Sequence, residues 1–402
     1  MRPAFGLLLP GLQSRYWTER VSPAWMPGMI QSVRLSGYRS LRDLRLRLGR
    51  VTLLRGANGV GKTNIYRALR LVSSMARGGF AEAVAGEGGM RSLLWTGNGE
   101  HARLTTFSAE VESADFSYAF ECGLMPATPG DPTAFKLDPD IKTEELRYGK
   151  RLLAKRTRNQ VRVADTKGVM HSLSEPPGAS ESMLTLVRDL QSCPQLLNAR
   201  LSLERWRFYH TMRTDADAPA RKPVRGYWSP VLNEDAANLP AVIQSINESD
   251  LAEAFHSAMT KAFPDSRLEV DYGDWFSLAF HAHAMPRPLH GHELSDGTLQ
   301  FICLAAVLCS PRPPPLLVLN EPETSLNESV LPALADLIAT ASEHSQIIIV
   351  SHSQSLCEAV AARCQVKARP LTMRFGETRL VGQEHAKTVY VFDDDEDDAE
   401  QK

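Results

Sequence analysis

The eight residues Gly56-Ala57-Asn58-Gly59-Val60-Gly61-Lys62-Thr63 carry the spacing G-x-x-x-x-G-K-T. Glycines at these positions let backbone N–H groups turn inward around phosphate oxygens; Lys62 can reach the β and γ phosphates, and Thr63 can offer its hydroxyl to Mg²⁺. The pattern predicts binding of a nucleoside triphosphate with its metal. It needs a strand before it and a helix after it. The apolar run Val51-Thr52-Leu53-Leu54 supplies the first, and Asn64-Ile65-Tyr66-Arg67-Ala68-Leu69-Arg70 the second. Kinases, GTPases and many ATPases share such a loop, so the loop alone leaves the reaction open.

Two later segments narrow the choice. Glu293-Leu294-Ser295-Asp296-Gly297-Thr298-Leu299-Gln300 places a serine and a glycine at the expected start of a helix, followed by the continuous apolar run Phe301–Leu308. A helix N-terminus of this kind attracts anions. Farther on, the apolar strand Leu316-Leu317-Val318-Leu319 ends at Asn320-Glu321-Pro322-Glu323, and Gln346-Ile347-Ile348-Ile349-Val350 ends at Ser351-His352-Ser353. Polar residues at the carboxyl ends of buried parallel strands sit where α/β sheets build their sites.

With these segments in this order over nearly the whole chain, the sequence resembles the ABC-type ATPases of the RecF, SMC and OLD group, in particular their compact AAA-type, RecF-like members without a TOPRIM nuclease domain. The resemblance implies an α/β P-loop NTPase with an ABC/SMC-like head: a mixed central sheet, an antiparallel flanking sheet and a small inserted helical lid subdomain. It makes Gly56, Asn58, Gly59, Gly61, Lys62, Thr63 and Asn64 the ATP-binding loop, with Leu294–Thr298 as the signature motif, Leu316–Glu321 as Walker B and Thr324-Ser325-Leu326 as the D-loop. Glu321 becomes the general base and His352 the γ-phosphate sensor, with Lys62 the third catalytic group. Ser295 and Gly297 would act in trans on ATP held by a second copy, giving a homodimer with ATP at its interface. Arg39, followed by Ser40, resembles the basic element near the adenine, and Arg91 the arginine after the loop helix. One departure stands out: Asn320 occupies the position of the aspartate that supports Mg²⁺. Its amide oxygen can accept a bond from a metal-held water but brings no charge.

The implied activity is Mg²⁺-dependent hydrolysis of ATP on or near double-stranded DNA, in repair or phage defence. The alternative is a nucleotide-gated scaffold that controls a partner effector with little turnover. Only some fifty residues follow His352, so no built-in nuclease is expected and cleavage would come from a partner.

The rest of the chain fits a globular protein with no membrane span. The run Asp393, Asp394, Asp395, Glu396, Asp397, Asp398 and Glu400 masks a mildly basic body: without those acids and Lys402, 44 basic residues face 40 acidic ones. Six cysteines form no C-x-x-C pair, which fits a reducing cytoplasm. Phe5-Gly6-Leu7-Leu8-Leu9 is too interrupted for a signal core. The expected division is a loosely packed extension over 1–28, an N-terminal ATPase lobe over 29–125, an inserted basic hairpin and helical subdomain over 126–265, a C-terminal ATPase lobe over 266–392, and a disordered acidic tail over 393–402. Within the insertion, Ile141–Gly168 carries Arg147, Lys150, Arg151, Lys155, Arg156, Arg158, Arg162 and Lys167. That stretch reads either as a solvated hairpin or as a surface for a phosphate backbone. His281, His283, His290 and His292 match no zinc spacing and read as ordinary strand and loop histidines.

Overall fold

A computed structural model describes residues 29–95, 104–126, 132–165, 167–186, 193–283 and 285–383. The extension expected over 1–28 and the acidic run from Asp393 lie outside the described residues.

The apolar runs assemble a six-stranded sheet in the order Arg207–Tyr209, Leu316–Asn320, Gln346–Ser351, Val51–Arg55, Arg369–Arg374 and Glu377–Leu380. The first five strands are parallel, and the last turns back antiparallel. Leu316–Asn320 and Gln346–Ser351 are buried at every position, as strands covered on both faces must be. Alternation divides their side chains between two cores. Leu54, Leu316, Val318, Ile348 and Val350 meet the loop helix Lys62–Arg77 on one face, while Leu53, Leu317, Leu319, Ile347 and Ile349 face the other. The second face is covered by Leu239–Asn247, Ala252–Ala262, Asp296–Leu308, Leu331–Ala341 and Gln354–Cys364.

An eight-stranded antiparallel sheet closes the first core. From edge to edge it runs Leu41–Arg47, Ile30–Tyr38, Thr106–Ser113, Ser117–Leu124, Pro139–Tyr148, Arg151–Thr157, Gln160–Ala164 and Met170–Ser172. Its strands alternate as half-covered strands do, with Val33, Leu35, Phe107, Val111, Tyr118 and Phe120 inward. The boundary expected at 125/126 falls between two neighbouring strands of this sheet. The next strand of the sheet begins at Pro139, and the basic segment extends the sheet by three strands. Glu144 and Arg156 form a buried ion pair at 3.4 Å on this extension. Burial pushes the Glu144 carboxyl up, against hydrogen bonds from Ser182, the Met183 N–H and Tyr118.

The helices expected as an inserted lid are packed into the two cores. Pro194–Glu204 lies along the loop helix, where Ser73 donates to the Leu203 carbonyl at 2.8 Å. Leu239–Asn247 and Ala252–Ala262 bury Val242, Ile243, Phe255 and Met259 in the second core. Gln346 joins the sheets, accepting from the Ile30 N–H at 3.0 Å and donating to the carbonyls of Ile30 and Gly49 at 2.8 and 2.9 Å. A small antiparallel sheet pairs Trp275–His281 with Arg267–Asp271, Val224–Arg225 and Leu289–His290. Among the described residues no helix is long and apolar enough to cross a membrane. The six cysteines are free, all buried except the half-buried Cys364.

Candidate functional site

Val51–Arg55 delivers the loop to the carboxyl edge of the central sheet, and the helix beginning at Lys62 leaves from it. Gly56 donates its N–H to the Ser351 carbonyl at 3.3 Å, tying the loop to the neighbouring strand. Gly61, at φ 89°, caps the helix in the left-handed region that only glycine adopts freely. A Cβ there would lie 1.9 Å from Thr378 Oγ1 and 2.5 Å from Ser40 Oγ. Those two hydroxyls bond each other at 2.6 Å. Thr378 Oγ1 also donates to the Val60 carbonyl at 2.9 Å, and Asn64 Nδ2 donates to Ser40 Oγ at 2.8 Å. The loop is thus clamped from outside by residues of the first and last strand pairs. Thr63 is the second residue of the helix, and Gly59 lies in the loop's open turn.

Lys62 is only 3% exposed. Its ammonium donates to the carbonyls of Gly56 and Ala57 at 2.9 Å each and to Asn58 Oδ1 at 3.4 Å, and stands 3.6 Å from Glu321 Oε1. Glu321 follows the buried strand Leu316–Asn320 at φ 51°, a left-handed conformation costing a non-glycine residue about 1–2 kcal/mol. Its N–H bonds the Val350 carbonyl at 2.7 Å. His352 Nδ1 lies 3.7 Å from the same Glu321 oxygen. Lys62, at the start of the loop helix, therefore meets Glu321 and His352, which follow the ends of two adjacent parallel strands.

Glu323 holds the histidine turn. Its Oε1 accepts from Ser351 Oγ at 2.6 Å and from the N–H groups of His352 and Ser353 at 3.1 Å each, with His352 Nδ1 at 3.3 Å. Its other oxygen is buried with no hydrogen-bond partner among the described residues. Asn320 is 1% exposed; its Nδ2 lies 2.7 Å from His210 Nδ1, and its Oδ1 is buried with no hydrogen-bond partner among the described residues.

Ser295 caps the signature helix, its Oγ accepting from the Thr298 N–H at 3.1 Å. A Cβ on Gly297 would stand 2.7 Å from the Ser325 carbonyl oxygen, so glycine lets this helix approach the expected D-loop. The buried guanidinium of Arg221 organises the turn before it. Arg221 donates to the carbonyls of Gly291, Leu294 and Thr214 and to Asp296 Oδ1, at 2.7 to 3.0 Å. Arg287 pairs with both oxygens of Glu293 at 2.6 and 2.8 Å and lowers that carboxyl to about 2. Among the described residues no hydrogen bond or ion pair links Ser295 or Gly297 to the phosphate loop of the same chain.

Arg39 is engaged elsewhere: it pairs with Glu87 at 2.7 Å and donates to the Glu87 carbonyl, while its neighbour Ser40 touches the loop. Arg91 is exposed. His281 pairs with Glu269 at 2.9 Å, and the rings of His290 and His292 stack. Among the described residues no three His, Cys, Asp or Glu side chains converge as a metal set. Sequence reasoning missed Glu323, His210, Arg221 and Thr378 as parts of the site. Glu323 had a local signal, since it closes the same polar stretch as Glu321 at the end of a buried strand.

A phosphate loop on a parallel sheet, with an acid and a histidine at adjacent strand ends and an antiparallel sheet on one face, defines a P-loop ATPase with an SMC-head-like fold. The model of the family described as "AAA domain, putative AbiEii toxin, Type IV TA system" matches residues 51–358, and the chain belongs to that family. Among solved structures it is similar to the Smc head bound to the C-winged helix domain of ScpA, at 16% identity and a TM-score of 0.52 over 88% of this chain and 97% of that one. That likeness shows the fold. An Smc head with an extended coiled coil from Pyrococcus furiosus, bound to the C-terminal domain of ScpA, matches at 14% identity and a TM-score of 0.49 over 88% and 96% of the two chains. The SMC head domain from Thermotoga maritima matches at 15% and 0.42 over 89% and 99%. No curated protein is significantly similar to the chain.

Proposed function

We propose that the chain binds ATP with Mg²⁺ on Gly56–Asn64, dimerises head to tail around it and hydrolyses it. The observation that carries this reading is the meeting of Lys62, Glu321 and His352, with Lys62 and His352 at 3.6 and 3.7 Å from one Glu321 oxygen. Lys62 would hold the phosphates, Glu321 would take the proton of the attacking water and His352 would meet the γ-phosphate, so catalysis rests on position and electrostatics. The residues fit a metal-bound triphosphate: Thr63 brings a hydroxyl at the helix start, and Asn320 brings a buried oxygen that has no hydrogen-bond partner among the described residues. When bound, Mg²⁺ would neutralise developing phosphate charge.

Action on or near double-stranded DNA, in repair or phage defence, is supported by the basic strands Arg151–Thr157 and Gln160–Ala164, where Lys155 and Arg162 are cross-strand neighbours. A second reading, a nucleotide-gated scaffold for an effector such as a nuclease, is favoured by Asn320, which brings no charge where the related ATPases have a carboxylate.

Phosphate release from ATP tests the choice, with and without duplex DNA. Turnover stimulated by DNA and lost in both Lys62→Ala and Glu321→Gln is the expected result. Tight ATP binding without turnover would put the scaffold first, and a DNA complex insensitive to ATP and salt would remove the DNA setting.

A further inference from the structure

We infer that His210 is a positioning residue for the metal end of the site: it fixes which end of the Asn320 amide faces inward. The inference rests on the reading of Gly56–Asn64 as an ATP–Mg²⁺ site. An aspartate has two equivalent oxygens and serves in either orientation, but an asparagine presents an oxygen or an NH₂, and the two have opposite chemistry toward a metal's water shell. Asn320 therefore needs something to choose its orientation.

His210 is placed to do so. It follows the short strand Arg207–Tyr209, parallel to Leu316–Asn320 with Tyr209 opposite Leu319, so the next residues on the two strands are His210 and Asn320. Tyr66 of the loop helix packs near the imidazole, ring centroids 5.9 Å apart. At 2.7 Å between His210 Nδ1 and Asn320 Nδ2 only the amide nitrogen can donate, so this arrangement calls for the His210 tautomer that carries its proton on Nε2. The 3.3 Å approach of Nδ1 to the Asn320 carbonyl is then a contact without a proton. With its nitrogen committed to His210, the amide turns Oδ1 away from the histidine, where it is buried and unpartnered among the described residues. An oxygen with nothing else to accept is what a coordinated water requires.

The test is an equilibrium titration with a fluorescent ATP analogue, measuring the Mg²⁺ concentration that half-maximally tightens nucleotide binding. It compares the unchanged protein, His210→Ala, Asn320→Asp and the double substitution. Losing an outer-shell partner costs about tenfold or more in metal affinity. The expected result is a rise of about tenfold for His210→Ala when Asn320 is present, and less than about twofold in the Asn320→Asp background, whose two oxygens need no orienting. His210→Gln, which keeps an acceptor, should restore most of the affinity. An equal loss in both backgrounds, or no loss in either, overturns the inference while leaving the ATP site intact. Nucleotide binding by the unchanged protein that ignores both Mg²⁺ and Lys62→Ala overturns the underlying reading as well.

Discussion

Removing the Glu323 carboxylate should disable the histidine turn. One oxygen accepts three hydrogen bonds, from the Ser351 hydroxyl and the N–H groups of His352 and Ser353. Bonds to a charged acceptor contribute about 1.5–3 kcal/mol each, for a gross total of about 4.5–9 kcal/mol. That total overstates the loss. The Ser353 N–H keeps a second acceptor, Ser351 Oγ at 3.0 Å, and the His352 side chain is 43% exposed, so its backbone can reach water once the turn loosens. Removing the buried charge also relieves its desolvation. The net destabilisation by Glu323→Ala is then about 3 kcal/mol, and by Glu323→Gln about half that, since the remaining oxygen still accepts at neutral strength. Because the same bonds aim His352, turnover should fall about 100-fold in Glu323→Ala, the cost of misplacing a reacting group by an ångström. Urea unfolding with matched steady-state ATPase rates measures both. A change under about 1 kcal/mol with turnover intact would refute the assignment of Glu323 as the anchor of this turn.

Gly61→Ala combines a left-handed φ with a clash against Ser40 and Thr378, and should weaken ATP binding by about 100-fold or more, or about 2.7 kcal/mol, in a fluorescence titration. Gly297→Ala pushes against the Ser325 carbonyl and should lower cooperative turnover while leaving nucleotide affinity of the isolated chain unchanged, as rates against protein concentration would reveal. Glu293, lowered from its ordinary 4.5 to about 2 by Arg287, contributes stability that is complete above about pH 4.5 and is lost as pH falls toward 2. Acid unfolding should therefore start at lower pH with native Glu293 than in Glu293→Gln, which lacks this stabilisation, and the difference in stability between the two should shrink as pH falls toward 2.

The parts of the site legible in the sequence are those whose signal is local. The phosphate loop, Glu321 and His352 each stand at the end of an apolar run that reads as a buried strand, so type and position were available together. His210 was not legible, because its three-residue strand has no period to detect and its partner Asn320 is 110 residues away. Arg221 was hidden for a similar reason: its role comes from a 3-10 turn folded onto the signature stretch some seventy residues later. The antiparallel sheet runs on past the boundary expected at 125/126, because turn-forming residues look the same whether they join two strands or two domains. The clamp by Thr378 lies in the final hairpin, where Thr-Arg-Leu resembles any short strand.

That clamp also sets the order in which a ribosome can produce a working loop. Val60 and Thr378 are 318 residues apart, yet the hydroxyl of one holds the carbonyl of the other. At about 5–20 residues per second, roughly 15–60 s of synthesis separate the emergence of the phosphate loop from the emergence of its brace. Throughout that interval the growing chain carries the loop residues without their outer support. The brace therefore completes the surroundings of the loop only after almost all of the described fold has been synthesised.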